Sequence, residues 1–157
     1  MDIGSKNLLV HMLTSVRIAA LATISDEDPR VSMVSFVTAQ DFSAFYVYVS
    51  RLAQHTVDMQ KNKQVGLLIA ETDDGRTDPQ ELARLSVRAS AVFMENGEPG
   101  YAPVKERYIE RFPASEPLFK LADFGLWRIT PKGARFEAGL GKAFNLAPEI
   151  LKKIAHE

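Results

Sequence analysis

The chain has 157 residues, no cysteine and a formal net charge of −1. This length suits one domain, predicted over residues 1–157, and the near-neutral charge gives no sequence-wide field that would attract nucleic acid or an anionic membrane. The lack of cysteine excludes disulfides, thiolate catalysis and cysteine-ligated metal sites, which fits a cytoplasmic protein. No apolar run is long enough to cross a bilayer, and residues 1–13 lack the pattern of a secretory signal.

The first half of the chain predicts an N-terminal helix followed by four strands, with a second, short helix between the last two strands. Apolar residues recur at helical spacing from Ser5 to Val16. Strands are indicated by apolar runs and by period-two alternation, with turns where Pro, Gly and acidic residues cluster. The predicted strands are 17–23, 31–38, 44–49 and 64–70. The second and third of these are expected to pair as a hairpin.

The second half continues this pattern. Residues 82–94 alternate strongly, and a helix is predicted over 103–112. A strand over 123–130 is expected to turn back at Pro131-Lys132-Gly133 onto a partner at 134–137, followed by a glycine-bearing loop (138–144) and a helix near Pro148. Strands joined by short turns favour an antiparallel barrel over a doubly wound parallel sheet. The predicted fold is therefore mainly β with accessory helices and about six strands.

One strand-to-helix junction carries a cluster of anion-binding side chains. Ser50 ends an apolar strand and is expected to be the N-cap of a helix beginning at Arg51, which leaves unpaired N–H groups at the positive end of the helix dipole. Arg51 and His55 are four residues apart and share a helix face, and Thr56 adds a second hydroxyl. This combination predicts a phosphate site without a glycine-rich loop. The alternative is that Ser50 and Arg51 serve only capping and solubility.

Other polar groups suggest no metal or hydrolytic site. No two histidines have the spacing of metal ligands on a helix. The acidic clusters at 26–28 and 71–74 are expected to be solvated turns rather than a catalytic carboxylate pair. Arg84 and Arg88 share a strand face with two serines, which is typical of an exposed or interface face and is also compatible with an anion pocket.

The order of several motifs along the chain resembles a known family. PRVSMVSFV, SRLAQHT, RLSVRASA, DFGLWRI and the closing AGLGKAF loop, in this order, resemble the pyridoxamine 5′-phosphate oxidase-like flavin-binding split barrels. Within that family they are most similar to the branch of HugZ-type haem-utilisation proteins. The resemblance covers residues 8–146. It implies an antiparallel split β-barrel that forms a homodimer, with FMN in a cleft at the subunit interface.

The resemblance also implies how the cofactor is held. A strand would run along the flavin ring and offer its backbone groups to the polar edge of the ring. The phosphate would bind at the strand-to-helix junction described above. The implied ring and phosphate residues are Ser32, Met33, Val34, Ser50, Arg51, Leu52, His55 and Thr56.

Further positions are implied near the cofactor. Arg84 opens the RLSV strand and would either reach the site or brace the interface. Trp127 would approach the ring from the other subunit. Gly139, Gly141 and Lys142 match a glycine-rich closing loop that lies near the cofactor in relatives.

Two departures from the family pattern narrow the expected function. The segment equivalent to the Ser-Arg-Lys of the vitamin B6 oxidases reads Ser50-Arg51-Leu52 and lacks one cation, which argues against that activity. The longer haem-degrading relatives carry extra C-terminal sequence, some of it supplying a haem ligand, whereas this sequence stops at Glu157. The expectation is therefore an FMN-dependent oxidoreductase acting on a small molecule, with the electron chemistry supplied by the flavin. The alternatives are a haem-binding or haem-degrading split barrel, a non-catalytic flavin-binding module, and a relative that uses the deazaflavin F420.

Overall fold

The computed structural model describes residues 1–156 and contains one antiparallel sheet of eight strands. The strands are β1 (Ile18–Ser25), β2 (Asp28–Ser35), β3 (Val37–Thr38), β4 (Phe45–Ser50), β5 (Gln64–Ala70), β6 (Arg84–Phe93), β7 (Phe124–Glu137) and β8 (Ala143–Leu146). The helices are α1 (Ile3–Ser15), α2 (Gln54–Lys61), α3 (Tyr101–Arg111) and α4 (Pro148–His156), with 3₁₀ segments at Pro79–Glu81 and Pro113–Lys120. The mainly β, antiparallel prediction is confirmed, with two more strands than expected.

Strand β7 organises the sheet. The strand order is β2-β1-β5-β6-β7-β4-β3, and β8 also pairs with β7. The first part of β7 pairs with β4 and the last part with β8, while β6 runs beside nearly all of it. Among the described helices, none is both long and apolar enough to span a membrane.

Two of the predicted strand connections are wrong. Residues 31–38 do not form one strand that pairs with β4: β2 pairs with β1, and only Val37–Thr38 pairs with β4. The chain changes partners at Phe36, whose ring is fully buried. The hairpin at Pro131-Lys132-Gly133 is also absent, because β7 continues through it. Arg88 of β6 faces Gly133 and Ala89 faces Pro131, so Lys132 is accommodated as an extra residue in a β-bulge.

The core consists of two apolar clusters on opposite sides of the sheet. The larger cluster fills the inside of the barrel, where alternate strand residues point inward; Phe36, Phe45 and Phe136 are fully buried there. The smaller cluster lies on the side of β4 and β7 that points away from the barrel interior. It is covered by α3 and Pro113–Lys120. In it, the Tyr48 ring stacks on Phe119 with centroids 3.8 Å apart.

Candidate functional site

The junction after β4 has a different geometry from the one predicted. Ser50 is still paired with Phe124 in the sheet, and its Oγ accepts a hydrogen bond from the Leu52 N–H at 3.2 Å. Helix α2 begins only at Gln54, with Ala53 as an N-cap that makes no side-chain bond. The prediction of a helix starting at Arg51 with Ser50 as its N-cap is therefore wrong, because the serine hydroxyl closes a turn before the helix. Thr56 Oγ1 fastens this turn by donating to the Ser50 carbonyl at 2.6 Å.

Arg51 is the exposed cation of this turn. Its backbone N–H donates to the Asp123 carbonyl at 2.5 Å, which ties the turn to the start of β7. Its guanidinium lies over the Phe93 ring, with Cζ 5.5 Å from the centroid. Arg51 makes no ion pair within the part of the chain that the structure describes. Its charge is thus available to an anion. The adjacent Leu52 is 82% exposed.

A buried carboxylate holds α2 in place behind this turn. Asp58 is 1% exposed, and its two oxygens accept hydrogen bonds from Gln54 Nε2 at 2.9 Å and Thr23 Oγ1 at 2.8 Å. The hydrogen bond from Gln54, and then those from Thr23 and Ser25, lower the pKa of Asp58 against the opposing effect of burial. The carboxylate therefore stays ionised and anchors α2 to β1.

His55 is uncharged at neutral pH. The residue is half-buried, and its Nε2 is enclosed without a hydrogen-bond partner in the structure. Burial lowers the pKa of His55 more than the nearby Asp58 charge raises it. The imidazole therefore adds no positive charge to the turn. Its predicted contact with a phosphate stays a prediction.

The predicted ring-binding segment lies on β2, an edge strand of the described sheet. Because one side of β2 has no neighbouring strand, part of its backbone donors and acceptors is unpaired, as the predicted flavin contacts require. Val34 points into the core and Met33 points outward, 70% exposed. Ser32 Oγ is enclosed on the inner side, and no described residue forms a hydrogen bond with it.

The outward-pointing side of β2, β1 and β5 is an exposed apolar surface, of which the sequence predicts only Met33 as a site residue. Val31, Met33, Ile18 and Leu68 are 73%, 70%, 49% and 43% exposed, respectively. All four side chains line an open cavity of about 580 Å³. A sequence signal was present, because β1 and β5 carry apolar residues on both faces, as strands covered on both sides do.

This apolar surface adjoins positively charged side chains on the neighbouring strands. The register aligns Val31 of β2 with Ala22, Gly66, Arg88 and Gly133 on β1, β5, β6 and β7. At about 4.8 Å per strand, Arg88 lies about 14 Å from Val31 across the face. Arg88 and Lys132 line both a cavity of about 280 Å³ beside Ala22 and a groove of about 720 Å³ that reaches Arg135. We call this combined surface, apolar on β2-β1-β5 and cationic on β6-β7, the outer face.

Arg84, Gly141 and Lys142 lie at the other end of β7 from the Ser50 turn. Arg84 Nε forms an ion pair with Glu137 at 2.5 Å, and its Nη1 donates to the carbonyls of Gln80 and Leu82. The β7–β8 turn contains Gly139 and Gly141 at φ +122° and +76°, the left-handed region that favours glycine, and is followed by the exposed Lys142.

Within one protomer these residues do not meet those of the Ser50 turn. Ser50 faces Phe124 and Arg84 faces Glu137, which are the first and last residues of the 14-residue strand β7. Thirteen residue steps correspond to about 43 Å of strand length. The predicted site is therefore split into two groups in a single copy of the chain.

Trp127 lies inside the barrel. It is 4% exposed and packs edge-to-face on Phe93, with ring centroids 5.6 Å apart. Its position on β7 opposite Phe93 gives it a packing role in the protomer. Its predicted approach to a cofactor across a subunit interface stays a prediction.

Comparison with known proteins gives matches over most of the chain. The family model described as pyridoxamine 5′-phosphate oxidase matches residues 7–138. The haem oxygenase HutZ of Vibrio cholerae is 28% identical over 138 residues, which covers 87% of this chain and 77% of that protein. The chloroplastic non-canonical haem oxygenase HOZ of Arabidopsis thaliana is 33% identical over 125 residues, 80% of this chain but only 36% of the plant protein. A crystal structure of HutZ, there called a haem storage protein, superposes with a TM-score of 0.74 at 26% identity over 82% of this chain and 91% of that one.

Proposed function

Because this chain belongs to the pyridoxamine 5′-phosphate oxidase family, we propose that it binds haem on the outer face of its sheet. The observation that carries this proposal is the continuity of an exposed apolar surface with the cations Arg88 and Lys132. A planar ligand with an apolar body and an anionic edge matches such a surface. The named relatives favour the haem alternative over the FMN-dependent oxidoreductase expected from the sequence.

The outer face suits the two chemical parts of haem. The macrocycle would rest on Val31, Met33 and Leu68, where burial of apolar surface favours binding. The propionates would pair with Arg88 and Lys132. When bound, the iron would supply the redox and oxygen chemistry. No histidine is among the described residues that line these cavities, so the axial ligand is to be identified from the absorption spectrum.

Binding is the part of the function that the names of the relatives share. HutZ is named both a haem oxygenase and a haem storage protein, and both descriptions require haem to be held. Whether the bound haem is degraded distinguishes an oxygenase from a storage protein. If this chain degrades haem, the Soret band of its haem complex disappears when a reductant is added in air. If it only stores haem, the band shifts on reduction and persists.

We also propose that two copies of the chain pair through the outer face. The split between the Ser50 turn and the Arg84 end supports this pairing, since a second copy can bring the two groups together where one copy cannot. The exposed apolar side chains of β1, β2 and β5 would then line a cleft between the two copies, and the proposed haem would be held in that cleft. Sedimentation equilibrium should give a dimer mass for the wild type and a monomer for Leu68→Asp.

The haem proposal is tested by titrating purified protein with haemin and following the Soret band. Arg88→Ala removes a proposed propionate partner and should weaken binding by about 1.5–3 kcal/mol, the range for a hydrogen bond to a charged group. Lys105→Ala on α3 removes the same charge away from the outer face and should leave the affinity unchanged. Absence of a Soret shift in the wild type, or equal effects of the two variants, would contradict the proposal.

FMN remains a second candidate because of one observation at the Ser50 turn. Arg51 is exposed and forms no ion pair with any residue that the structure describes, and it lies beside the first turn of α2, where helix N–H groups lack intrahelical partners. Quenching of FMN fluorescence measures this binding. Arg51→Ala should weaken it by about 1.5–3 kcal/mol and leave haem binding intact. An FMN complex that does not react with NAD(P)H or oxygen would favour a non-catalytic flavin module, and competition with F420 would test the deazaflavin alternative.

A further inference from the structure

Three arginines gather where α1 ends and α3 packs against it, outside both sites discussed above. Arg107 and Arg111 are one turn apart on α3, and Arg17 follows α1. The guanidinium carbons of Arg17 and Arg111 lie 5.3 Å and 5.8 Å from the centroid of the same ring, Phe112. Burial, and then the charges of Arg17 and Arg107, lower the pKa of Arg111. The three positive charges are therefore close enough to repel one another.

These charges have no acidic partner in the described part of the chain. Arg111 instead donates from Nη1 to the Thr14 carbonyl at 2.6 Å and from Nη2 to the Val16 carbonyl at 2.5 Å, at the negative end of the α1 dipole. Its Nε is enclosed and has no hydrogen-bond partner among the described residues. Among residues 1–156, Arg17 and Arg107 have no ion-pair partner. An anion bound here would relieve the repulsion among these charges and would give Arg107 a partner.

A cavity of about 300 Å³ opens beside this cluster. Its lining residues are Thr14, Val37, Thr38, Arg107, Glu110 and Arg111. Glu110 is its acidic member, and it forms no ion pair with either lining arginine. The cavity therefore has two cations against one carboxylate. None of its lining residues belongs to the outer face or to the Ser50 turn.

We propose that this cavity binds a small oxyanion, a phosphate or carboxylate group, through Arg107 and Arg111. The planar guanidinium presents paired N–H donors that match two oxygens of such a group. Arg111 is already fixed by the two carbonyls of α1, which pre-organises it for a ligand. Glu110 opposes binding through its charge, so its removal should strengthen the site. The proposal is independent of haem or FMN binding.

The test is calorimetric titration of the full chain with inorganic phosphate and, separately, with citrate, at ionic strength held constant with chloride. The wild type should bind at least one of the two anions. The anion that binds more tightly identifies a phosphate-type or a carboxylate-type ligand. Failure of both to bind, or heats that chloride alone reproduces, would overturn the proposal.

Three variants locate the binding. Arg107→Ala should weaken it about ten-fold or more, from loss of a charge-assisted hydrogen bond. Lys105→Ala is the matched control, because Lys105 lies on the same helix but points its Nζ at the Phe119 ring, 5.4 Å from the centroid. It should change the affinity by less than about two-fold. Glu110→Gln should tighten binding, and because it retains the shape of the side chain it keeps the test decisive if Arg107→Ala folds poorly. Equal losses for the Arg107 and Lys105 variants, or no gain for Glu110→Gln, would refute the assignment.

Discussion

Replacement of Gly125 by alanine tests how β6 and β7 pack beneath the Ser50 turn. Gly125 lies in β7, and a Cβ added there would stand 2.6 Å from Cε2 of Phe93, a distance that real Cβ atoms essentially never show. Phe93 faces Trp127 two residues further along β7 and packs against its ring. The glycine therefore makes room for the Phe93 ring to lie across the strand.

The size of the effect follows from this contact. The Phe93 ring would have to leave its place between Gly125 and Trp127, and overpacking of this kind destabilises a core by about 1–3 kcal/mol. For a chain of 157 residues, each kcal/mol lowers Tm by about 2–4 °C. Gly125→Ala is therefore expected to lower Tm by about 2–12 °C.

Differential scanning calorimetry on four proteins provides the measurement. They are the wild type, Gly125→Ala, Phe93→Leu and the double variant. The smaller leucine should relieve the clash, so the double variant should be more stable than the sum of the two single effects predicts. If Gly125→Ala leaves Tm unchanged, or if the two effects simply add, the proposed packing of Phe93 over Gly125 is wrong.

Three other expectations concern the core and two ionisable groups. Phe136→Ala should lower the free energy of unfolding, measured in urea, by about 3–5 kcal/mol because Phe136 is fully buried; Phe144→Ala, at a partly exposed ring, should have a smaller effect. The pKa of Asp58 is lowered from its ordinary 3.8, so its contribution to stability is complete above pH 3.8 and is lost as pH falls through the folded value. Asp58→Asn should therefore flatten the acid side of a plot of urea midpoint against pH, and an unchanged slope would contradict this. Burial raises the pKa of Tyr48 from 10.0 to about 12, so its contribution is complete below pH 10 and is lost as pH rises through 12. Tyr48→Phe should remove the last step of a tyrosinate absorbance titration.

The regular strands could be predicted because their pattern is local. Residues 64–70 were predicted as a strand, and β5 has those bounds; α4 begins at the predicted Pro148. The failures occur where a partner strand overrides local signals. Pro131-Lys132-Gly133 has turn residues, but β6 is long enough to keep β7 paired through a bulge. The switch of partners at Phe36 likewise depends on burial of its ring, which no local pattern specifies.

The candidate site was only partly predictable for the same reason. Serine before a helix is a common N-cap, yet the Ser50 hydroxyl bonds to Leu52 because β4 holds the Ser50 backbone in the sheet. The exposure of Met33 and Leu68 depends on which strands stand side by side, information that lies in the register. Homodimer formation and a cytoplasmic location remain predictions.

The placement of β7 has a consequence for cooperativity. Its inward residues Ile129 and Phe136 belong to the barrel interior, while its outward Leu126 belongs to the cluster beneath α3. Because both clusters contain residues of β7, loosening either cluster also disrupts the backbone hydrogen bonds of β7 that hold the other cluster together. Native-state hydrogen exchange should find the slowest amides along the middle of this strand, and they should open together with the whole molecule rather than with one half of it.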